Sequence, residues 1–521
     1  MEKKNPCIVM VLSPGLSHLI PLVEFAKILT HEDDELHVKL IIPTLGPPSS
    51  SMNSILNKNS LPPNITFTLL PQVNVEDLII TDENPQPATQ MQLTVKHSLP
   101  FLHQELTSLI TSTNHNILAI LFSLFSTDVL DLAKEFNLLS YVFFASGALF
   151  LSFCLHLPHL DDQQQQHEHE QEESLLFHHQ LTEKTTVHVP GCPVPFQEAD
   201  DSSKNSLLEL TDPVHVPGCS VPFQVKDLPD PVLFERSSEV YKSFLAVVKN
   251  YSLVDGVIMN TFTDLEPDAV KALQQEHDNN KGEKNVPFVY PIGPIIQSET
   301  SNEVNKLECL TWLDNQPPRS VLYISFGSGG TLSQEQLNEI AFGLELSGHK
   351  FLWVVRAPSN FGGSAYLSQQ KEDPLHYLPS GFVERTKEQG LVIPSWAPQI
   401  EILGHGSVGA FLSHCGWNST LESVSHGVPV IAWPLFAEQR MNAVLLKDVL
   451  KVAVRPEANE DGIVKREEVA RVVKGIIEEN EEGLEMRKRI KELSDAAAAA
   501  LSENGSSMKA LSSLALKWQN I

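Results

Sequence analysis

The chain has 521 residues, 42% hydrophobic and 20% charged, which is enough apolar material for a large folded core. Lys and Arg number 37 against 65 Asp and Glu, a formal net charge of −28. A field of this sign repels phosphate backbones and anionic lipid, so we expect no binding to nucleic acid or to a membrane surface.

The six cysteines are too sparse for a disulfide framework and contain no Cys-x-x-Cys pair of the kind found in zinc sites. Only six apolar residues, Cys7–Leu12, precede the turn residues Ser13–Gly15. A secretory signal peptide needs roughly 7–15 apolar residues and a membrane span roughly 18. We therefore expect a cytoplasmic protein with no membrane span.

The first half of the chain predicts a doubly wound parallel sheet, because short apolar runs bounded by turn residues alternate with helical patterns. Between the first two runs, apolar residues recur at helical spacing over His18–His31. The predicted strands are Cys7–Leu12, Leu36–Pro43, Ile65–Leu70, Ile117–Phe122 and Tyr141–Ala145.

Residues 161–224 are predicted to be an insertion. Asp161–Glu173 is almost entirely Gln, His, Glu and Asp, which favours a disordered loop over a metal-binding tract. Downstream, His188–Gln197 recurs as His215–Gln224 with nine of ten positions identical. Two copies are too few for a solenoid, so we predict a local duplication with one copy looped out.

The second half repeats the alternation after a stretch rich in Lys, Asn, Pro and Gly, residues 279–305, which predicts a linker. We divide the chain into two Rossmann-like domains, 1–285 and 286–505, and an amphipathic segment, 506–521, that could pack on either domain; we favour the N-terminal one. The predicted strands are Val321–Phe326, Phe351–Val355, Leu391–Pro394, Val408–Ser413 and Val428–Trp433, and the predicted helices are Gln334–Leu346, Thr420–His426, Glu438–Leu450 and Arg466–Glu479.

An anion site is predicted where the strand Val408–Ser413 runs through a glycine turn, His414–Ser419, into a helix. Ligands bind beyond the carboxyl ends of parallel strands, and free N–H groups at a helix N-terminus attract anions. A second glycine turn, Gly327–Gly330, could close over the same phosphates. The alternative is that Ser419–Glu422 is only a capping box and binds nothing.

Several other nucleotide motifs fail. The G-x-G-x-x-G run Gly404–Gly409 precedes a strand, whereas a dinucleotide fingerprint follows one. The Walker lysine motif and the Asp-x-Asp motif of a metal-bound diphosphate are absent from the sequence. We therefore expect no metal, and charge neutralisation by a helix dipole and by neutral or cationic donors.

The segments Trp396–Gln399, His414–Glu422 and Pro434–Gln439 lie within an ungapped stretch of 44 residues. This stretch resembles the signature of plant family 1 UDP-glycosyltransferases, and the likeness extends from Ser13 to Trp518, with the hydroquinone and monolignol glucosyltransferases as the most similar subgroup. The resemblance implies the GT-B fold, in which two Rossmann-like doubly wound α/β domains face a cleft. It also implies UDP-glucose as co-substrate, no further cofactor, and a small phenolic acceptor.

Carried over by position, the resemblance assigns the donor site. Without it, Trp396 and Trp417 would be interpreted as core aromatics. The implied contacts are Trp396 stacked on uracil, Ala397 and Gln399 at the uracil and ribose, Glu422 at the ribose hydroxyls, Ser328, His414, Asn418 and Ser419 at the diphosphate, Gly416 and Trp417 in the same turn, and Glu438 and Gln439 at the sugar. Many relatives have Asp where Glu438 stands.

His18 opens the first helix, where an isolated histidine is usually an ordinary surface residue. By resemblance, it is the general base that takes the acceptor proton. The family places an Asp where this chain has Ser123, and a serine carries no charge to stabilise imidazolium. Asp128 is expected to cap a helix and not to replace the Asp that is missing at position 123. Phe122, Phe125, Phe144, Phe150 and Phe153 could line an acceptor pocket or belong to the core.

Two functions remain open. The first is inverting transfer of glucose from UDP-glucose to a phenolic hydroxyl, with acidic phenols least affected by Ser123. The second is a UDP-sugar-binding protein with weak or no transferase activity. A nucleotide-sugar epimerase of the same fold is disfavoured, because such enzymes lack this signature.

Overall fold

The computed structural model describes residues 5–57, 61–74, 78, 87–111, 115–175, 212–279, 286–297, 306–359, 373–478 and 480–519. Within them the chain forms a seven-stranded and a six-stranded sheet, each with parallel pairing throughout. Alternate residues of the first strand enter opposite cores, Val9 and Val11 on one face and Ile8 and Met10 on the other. Burial on both faces is typical of parallel sheets.

The first sheet has the strand order β3-β2-β1-β4-β5-β6-β7. Its strands are β1 Asn5–Val11, β2 His37–Ile42, β3 Ile65–Leu69, β4 His115–Ser123, β5 Leu139–Phe144, β6 Gly256–Met259 and β7 Phe288–Pro291. The helices of this half are α1 Leu16–Glu32, α2 Ser50–Ile55, α3 Pro87–Thr111, α4 Val129–Glu135, α5 Ala148–Leu175, α6 Glu239–Tyr251 and α7 Pro267–Asn279, with 3₁₀ turns at Val225–Asp227 and Asp230–Leu233.

The second sheet has the order β10-β9-β8-β11-β12-β13. Its strands are β8 Val321–Ser325, β9 Lys350–Val355, β10 Gly390–Pro394, β11 Val408–Ser413, β12 Val430–Ala432 and β13 Ala453–Val454. The helices are α8 Lys306–Asp314, α9 Gln334–Ser347, α10 Phe382–Thr386, α11 Gln399–Leu403, α12 Trp417–His426, α13 Gln439–Val444, α14 Arg466–Ile477, α15 Glu481–Ala500 and α16 Ser506–Gln519, with a 3₁₀ turn at Pro374–Tyr377 and a π turn at Leu445–Val449.

Strand β7 corrects the domain boundary predicted after residue 285. Phe288–Pro291 pairs with β6 at the edge of the first sheet, inside the stretch predicted to be a linker. The strand has only four residues, and the Lys, Asn and Pro residues around it obscure its apolar pattern in the sequence. The chain therefore passes from the first sheet to the second between Pro291 and α8.

Helix α5 corrects the predicted disorder of Asp161–Glu173, because the helical backbone continues through this tract to Leu175. Gln and Glu are good helix formers, and extending an existing helix costs little. The first residue of the tract is also anchored, since the Asp161 carboxylate accepts hydrogen bonds from the Tyr241 hydroxyl at 2.6 Å and from Arg236 Nε at 2.9 Å.

The second copy of the duplicated segment packs into the first domain, with Val216 and Phe223 buried in its core. Its Gly218 has φ +78, and a β-carbon there would overlap the backbone at Asp268 and Ala269. The first copy, His188–Gln197, lies outside the described residues, so its predicted looping out stays a prediction.

Helix α16 follows the second sheet in sequence but packs on the first. Leu511, Leu514 and Trp518 are buried in the core beside β1, and the Trp518 ring meets Tyr141 edge-on at 5.7 Å. No helix among the described residues has the length and apolar composition needed to cross a membrane.

Candidate active site

The strand order reverses direction once in each sheet, between β1 and β4 and between β8 and β11. At such a switch point the loops beyond the carboxyl ends of two neighbouring strands diverge and leave a crevice for ligands. His18, Ser328 and His414 lie in the segments that follow β1, β8 and β11, and Ser123 is the last residue of β4. The two topologies thus place catalytic and donor candidates at comparable positions of the two sheets.

A single cavity of about 670 Å³ lies between these two crevices and is lined by residues of both halves. His18 lines it from the first half. All the predicted donor residues line it as well: Ser328, Trp396, Ala397, Gln399, His414, Gly416, Trp417, Asn418, Ser419, Glu422, Glu438 and Gln439. Ser123 is fully buried and does not reach the cavity wall.

Gln399 organises one end of the cavity. Its Nε2 donates to Ser419 Oγ at 2.9 Å and to Glu422 Oε2 at 2.6 Å, while its Oε1 accepts from the Tyr323 hydroxyl at 3.2 Å. Helix α12 begins at Trp417 with Gly416 as N-cap and no side-chain cap, so the capping box considered for Ser419–Glu422 is wrong. Both side chains turn instead towards Gln399.

Glu422 is a partly buried residue that lines the cavity. Its burial raises the pKa to about 7, and the hydrogen bond from Gln399 opposes this shift. The side chain therefore changes charge near neutral pH, and a ligand that donates hydrogen bonds to it would favour the ionised form.

His414 follows β11 and is held between two glycines. A β-carbon at Gly327 or at Gly416 would overlap the imidazole, so both positions need glycine for this approach. Burial, and secondarily the charge of Arg356, lowers the His414 pKa to about 4. The ring is therefore neutral at pH 7, and its buried Nδ1 has no hydrogen-bond partner within the described part of the chain.

Arg356 is a cavity residue that the sequence analysis missed. It follows β9 directly, at the same sheet edge as Ser328 and His414. Its signal in the sequence is a basic residue at the carboxyl end of the predicted strand Phe351–Val355. The guanidinium gives the cavity a cation that can bind phosphate oxygens.

The opposite end of the donor side is built from the loop before α13. The Gln439 Oε1 accepts the backbone N–H groups of Leu435 at 2.9 Å and Phe436 at 3.1 Å. Its amide nitrogen is then the group with which Gln439 can bind a ligand. Glu438 is partly buried, and the loss of hydration around its carboxyl group raises its pKa; this carboxyl group accepts a hydrogen bond from Ser146 of the first half at 3.2 Å.

Two hydrogen bonds join α12 to the first half. The Trp417 indole N–H donates to the Asn260 carbonyl at 2.7 Å, so this nitrogen is engaged in the domain contact even though the residue lines the cavity. Asn418 Nδ2 donates to the Ser17 carbonyl at 3.1 Å, and the buried Asn418 Oδ1 has no partner among the described residues.

His18 lies in the first turn of α1 with only 9% of its surface exposed, so it is not an ordinary surface histidine. Burial lowers its pKa to about 4. The ring meets Phe125 edge-on at 5.5 Å, and its buried Nδ1 has no partner within the described residues. His18 is thus a neutral imidazole in the wall of the cavity at pH 7.

Ser123 belongs to a buried cluster of three serines. Its Oγ accepts the backbone N–H of Ser13 at 2.7 Å and also contacts the Ser13 hydroxyl, which in turn lies 2.9 Å from Ser126 Oγ. Asp128 stands at the N-cap position of α4 but makes no side-chain cap, contrary to our expectation. Burial raises the Asp128 pKa.

Comparison with known proteins decides the family. A model described as UDP-glucoronosyl and UDP-glucosyl transferase matches residues 282–486. The hydroquinone glucosyltransferase of Rauvolfia serpentina is 45% identical over 520 residues, which cover 99% of this chain and 98% of that protein. The chain belongs to the plant UDP-glycosyltransferase family. The resemblance predicted from Trp396–Gln439 is therefore confirmed.

Solved structures of other family members share the fold of this glycosyltransferase. Phytolacca americana UGT2, complexed with UDP-2fluoro-glucose and pterostilbene, is 42% identical with a TM-score of 0.80, over 99% of this chain and 100% of that one. A Polygonum tinctorium UDP-glucosyltransferase capable of glucosylating indoxyl, in complex with 3,4-dichloroaniline, is 41% identical with a TM-score of 0.81, over 100% of both chains. The predicted GT-B fold is confirmed.

The first half of this glycosyltransferase contributes an apolar wall. Of the phenylalanines named as acceptor candidates, Phe125 and Phe150 line the cavity. Phe122, Phe144 and Phe153 are fully buried in the core and do not line the cavity. Residues that the sequence analysis did not name complete this wall: Ile20, Met91, Val240, Phe244 and Val247.

The described residues of this glycosyltransferase contain no group of three or more His, Cys, Asp or Glu side chains arranged to hold a metal ion. The cavity instead offers a helix N-terminus, the neutral His414 and the cationic Arg356. These are donors suited to a diphosphate.

Proposed function

We propose that this chain transfers glucose from UDP-glucose, with inversion, to a hydroxyl of a small phenolic acceptor of the hydroquinone or monolignol kind. The observation that carries the proposal is the single cavity lined by His18 on one side and by the Trp396–Gln439 stretch on the other. The proposal also draws on the hydroquinone glucosyltransferase relative and on the related structure that holds a UDP-sugar analogue with pterostilbene.

For the donor, we assign the nucleotide to the β8, β10 and β11 side of the cavity. Trp396 stacks on uracil, Gln399 orients the nucleoside and Glu422 accepts the ribose hydroxyls. The diphosphate meets Ser328, His414, Asn418 and Ser419. Because the leaving group is an anion, the N-terminus of α12 and the Arg356 guanidinium stabilise the charge that develops as UDP departs.

At the reacting end, Glu438 and Gln439 hold the glucose hydroxyls. The acceptor lies against the apolar wall of Phe125 and Phe150. The acceptor oxygen attacks the anomeric carbon from the face opposite UDP, the bond from that carbon to the phosphate oxygen breaks, and the acceptor proton passes to the neutral His18. Binding both substrates in one cavity orients this step.

Ser123 weakens this mechanism. His18 has a low pKa, so it is in its base form at pH 7, but it is a weak base, and Ser123, at the position where the family places an Asp, supplies no carboxylate to stabilise imidazolium. General acid–base assistance is typically worth about 10²–10⁴ in rate. We therefore expect transfer to acidic phenols to be least affected, because they ionise with little help.

The second candidate function is UDP-sugar binding with weak or no transfer, and Ser123 is the observation that favours it. Both candidates require the same donor site, so nucleotide binding does not separate them. The test is incubation of the full chain with UDP-glucose and phenols of graded acidity, with glucoside detected by mass spectrometry. Glucoside formation that falls on His18→Ala supports transfer; UDP-glucose binding without any glucoside supports the second candidate.

A further inference from the structure

A short segment of the first half reaches across to the second half beside the sugar end of the cavity. It contains the 3₁₀ turns Val225–Asp227 and Asp230–Leu233, which follow the second copy of the duplicated segment. Two ion pairs connect it to the second half. Asp227 pairs with Arg455 at 2.7 Å, and Asp230 pairs with Arg440.

Asp230 makes contacts along the loop that precedes α13, Pro434–Arg440, which we call the sugar loop. One carboxylate oxygen, Oδ1, accepts hydrogen bonds from both terminal nitrogens of Arg440. The other, Oδ2, accepts the backbone N–H of Ala437 at 2.7 Å, and the Asp230 N–H donates to the Ala437 carbonyl at 3.3 Å. Arg440 is only 1% exposed, whereas the Asp230 side chain is 15% exposed and lines the cavity.

The sugar loop needs outside support for its shape. Ala437 has φ +55, a left-handed conformation that residues with a β-carbon adopt at a cost. Within the described residues, Asp230 forms hydrogen bonds with both backbone groups of this strained residue and with the guanidinium of Arg440. Glu438 and Gln439 lie between them, so their side chains are directed into the cavity by a loop that is fixed at both ends.

We propose that Asp230 and Arg440 are positioning residues for the donor sugar, because they hold the sugar loop in the conformation that presents Glu438 and Gln439. The inference rests on the proposed function, in which these two side chains bind glucose. It adds that the acceptor-binding half controls the sugar subsite of the other half through the ion pair of Asp230 with the buried Arg440.

The proposal predicts different effects on the binding of the sugar and on the binding of the nucleotide. Trp396, Gln399 and His414 reach the cavity from the segments that follow β10 and β11, outside the sugar loop. Loss of the pair should therefore disturb binding of UDP-glucose and leave binding of UDP nearly unchanged. A general loss of folding would weaken both ligands together.

The test compares Asp230→Asn with Asp227→Asn in the full chain. Asp227→Asn is the matched control, because it removes the same charge from the same segment at a pair whose partner, Arg455, lies outside the sugar loop. Calorimetry gives the Kd values of UDP and UDP-glucose, and steady-state assays give kcat and KM. We expect Asp230→Asn to weaken UDP-glucose about tenfold and UDP less than about twofold, and Asp227→Asn to change the ratio of the two less than about twofold.

Arg440→Lys keeps the buried charge and should retain most of the UDP-glucose affinity, whereas Arg440→Met should resemble Asp230→Asn. The Lys variant also covers the case in which Asp230→Asn does not fold. Equal effects of Asp230→Asn on UDP and UDP-glucose, or equal effects of the Asp230 and Asp227 substitutions on their ratio, would overturn the proposal. Failure of the wild-type chain to form any glucoside would instead count against the proposed function, since the binding comparison needs no turnover.

Discussion

Asn418 donates a hydrogen bond from its side-chain amide to the backbone carbonyl of Ser17, the residue before His18, over 3.1 Å. The N-terminus of α12 and the first turn of α1 are thereby joined across the two halves. Asn418, which we assign to the diphosphate, is thus hydrogen-bonded to the residue next to His18, which we assign to the acceptor proton. A change in the separation of the halves would move both at once.

Ser123→Asp should raise the rate of transfer to weakly acidic phenols by about tenfold or more, within the range of general acid–base assistance. The Ser13 N–H and the hydroxyls of the serine cluster can donate to the new carboxylate and keep it ionised. The measurement is kcat/KM against acceptor acidity. Ser123→Asn provides the uncharged control of the same size, and no gain over it would show that the carboxylate is not limiting.

The same variant should change the pH profile. His18 acts as a base only when neutral, so activity is lost as the pH falls through its pKa, which burial sets at about 4. A carboxylate nearby favours imidazolium and raises that pKa towards its ordinary value of about 6.5. The acid limb of kcat/KM for the acceptor should therefore move to higher pH in Ser123→Asp and stay in place in Ser123→Asn.

Trp396→Ala should weaken UDP by about 5- to 150-fold, the range that corresponds to the stacking of one base on an aromatic ring. Trp396→Phe keeps an aromatic face and should lose much less affinity for UDP. Calorimetric titration with UDP measures both. The same substitution at Trp312, a partly buried tryptophan that does not line the cavity, serves as the control. Similar losses for Trp312→Ala and Trp396→Ala would remove Trp396 from the uracil site.

Glu422 should make UDP-glucose binding depend on pH. Its pKa is about 7 because of burial, and ribose hydroxyls bind better to the ionised carboxylate. Affinity should therefore be constant above this pKa and fall below it, by up to about tenfold per pH unit. UDP-glucose is the ligand to use, since the terminal phosphate of UDP titrates nearby. Glu422→Gln should abolish the slope, and a slope that persists in this variant would contradict the assignment.

Arg356→Met should weaken UDP and UDP-glucose alike, by about tenfold to a hundredfold, because a charge-assisted contact with a phosphate oxygen is lost. Arg356→Lys should fall between this variant and the wild type, because it keeps the charge without the planar fork. The salt dependence of UDP binding should also become shallower in Arg356→Met. Arg385→Met removes the same charge from a surface pair with Glu345 and should leave both affinities unchanged.

Most of the framework of both sheets could be predicted, because buried parallel strands appear as short apolar runs between turn residues. The strands Val408–Ser413 and Phe351–Val355 are clear examples. The strands that were missed, β6, β7 and β13, are only four, four and two residues long and form no pattern that stands out from their surroundings. Helix α5 was missed for another reason, since composition alone does not reveal that a polar tract extends an existing helix.

The donor side of the site could be predicted because its residues are nearly contiguous in the sequence. Beyond His18, Phe125 and Phe150, the contributions of the first half could not. Phe244 and Asp230 reach the cavity from elements far from His18 along the chain, and only the packing of α6 and the preceding 3₁₀ turns brings them there. The partners of Ser123 are likewise invisible in a sequence, because Ser13 lies 110 residues away.

The packing of helix α16 limits how hybrid proteins can be made from this enzyme and its relatives. Its Leu511, Leu514 and Trp518 complete the core of the first sheet, although this helix of 14 residues follows the second sheet in the sequence. A chimera that exchanges the two halves at one crossover would pair this helix with a foreign partner. A working hybrid therefore calls for two crossovers, with the helix taken from the parent that supplies the N-terminal half.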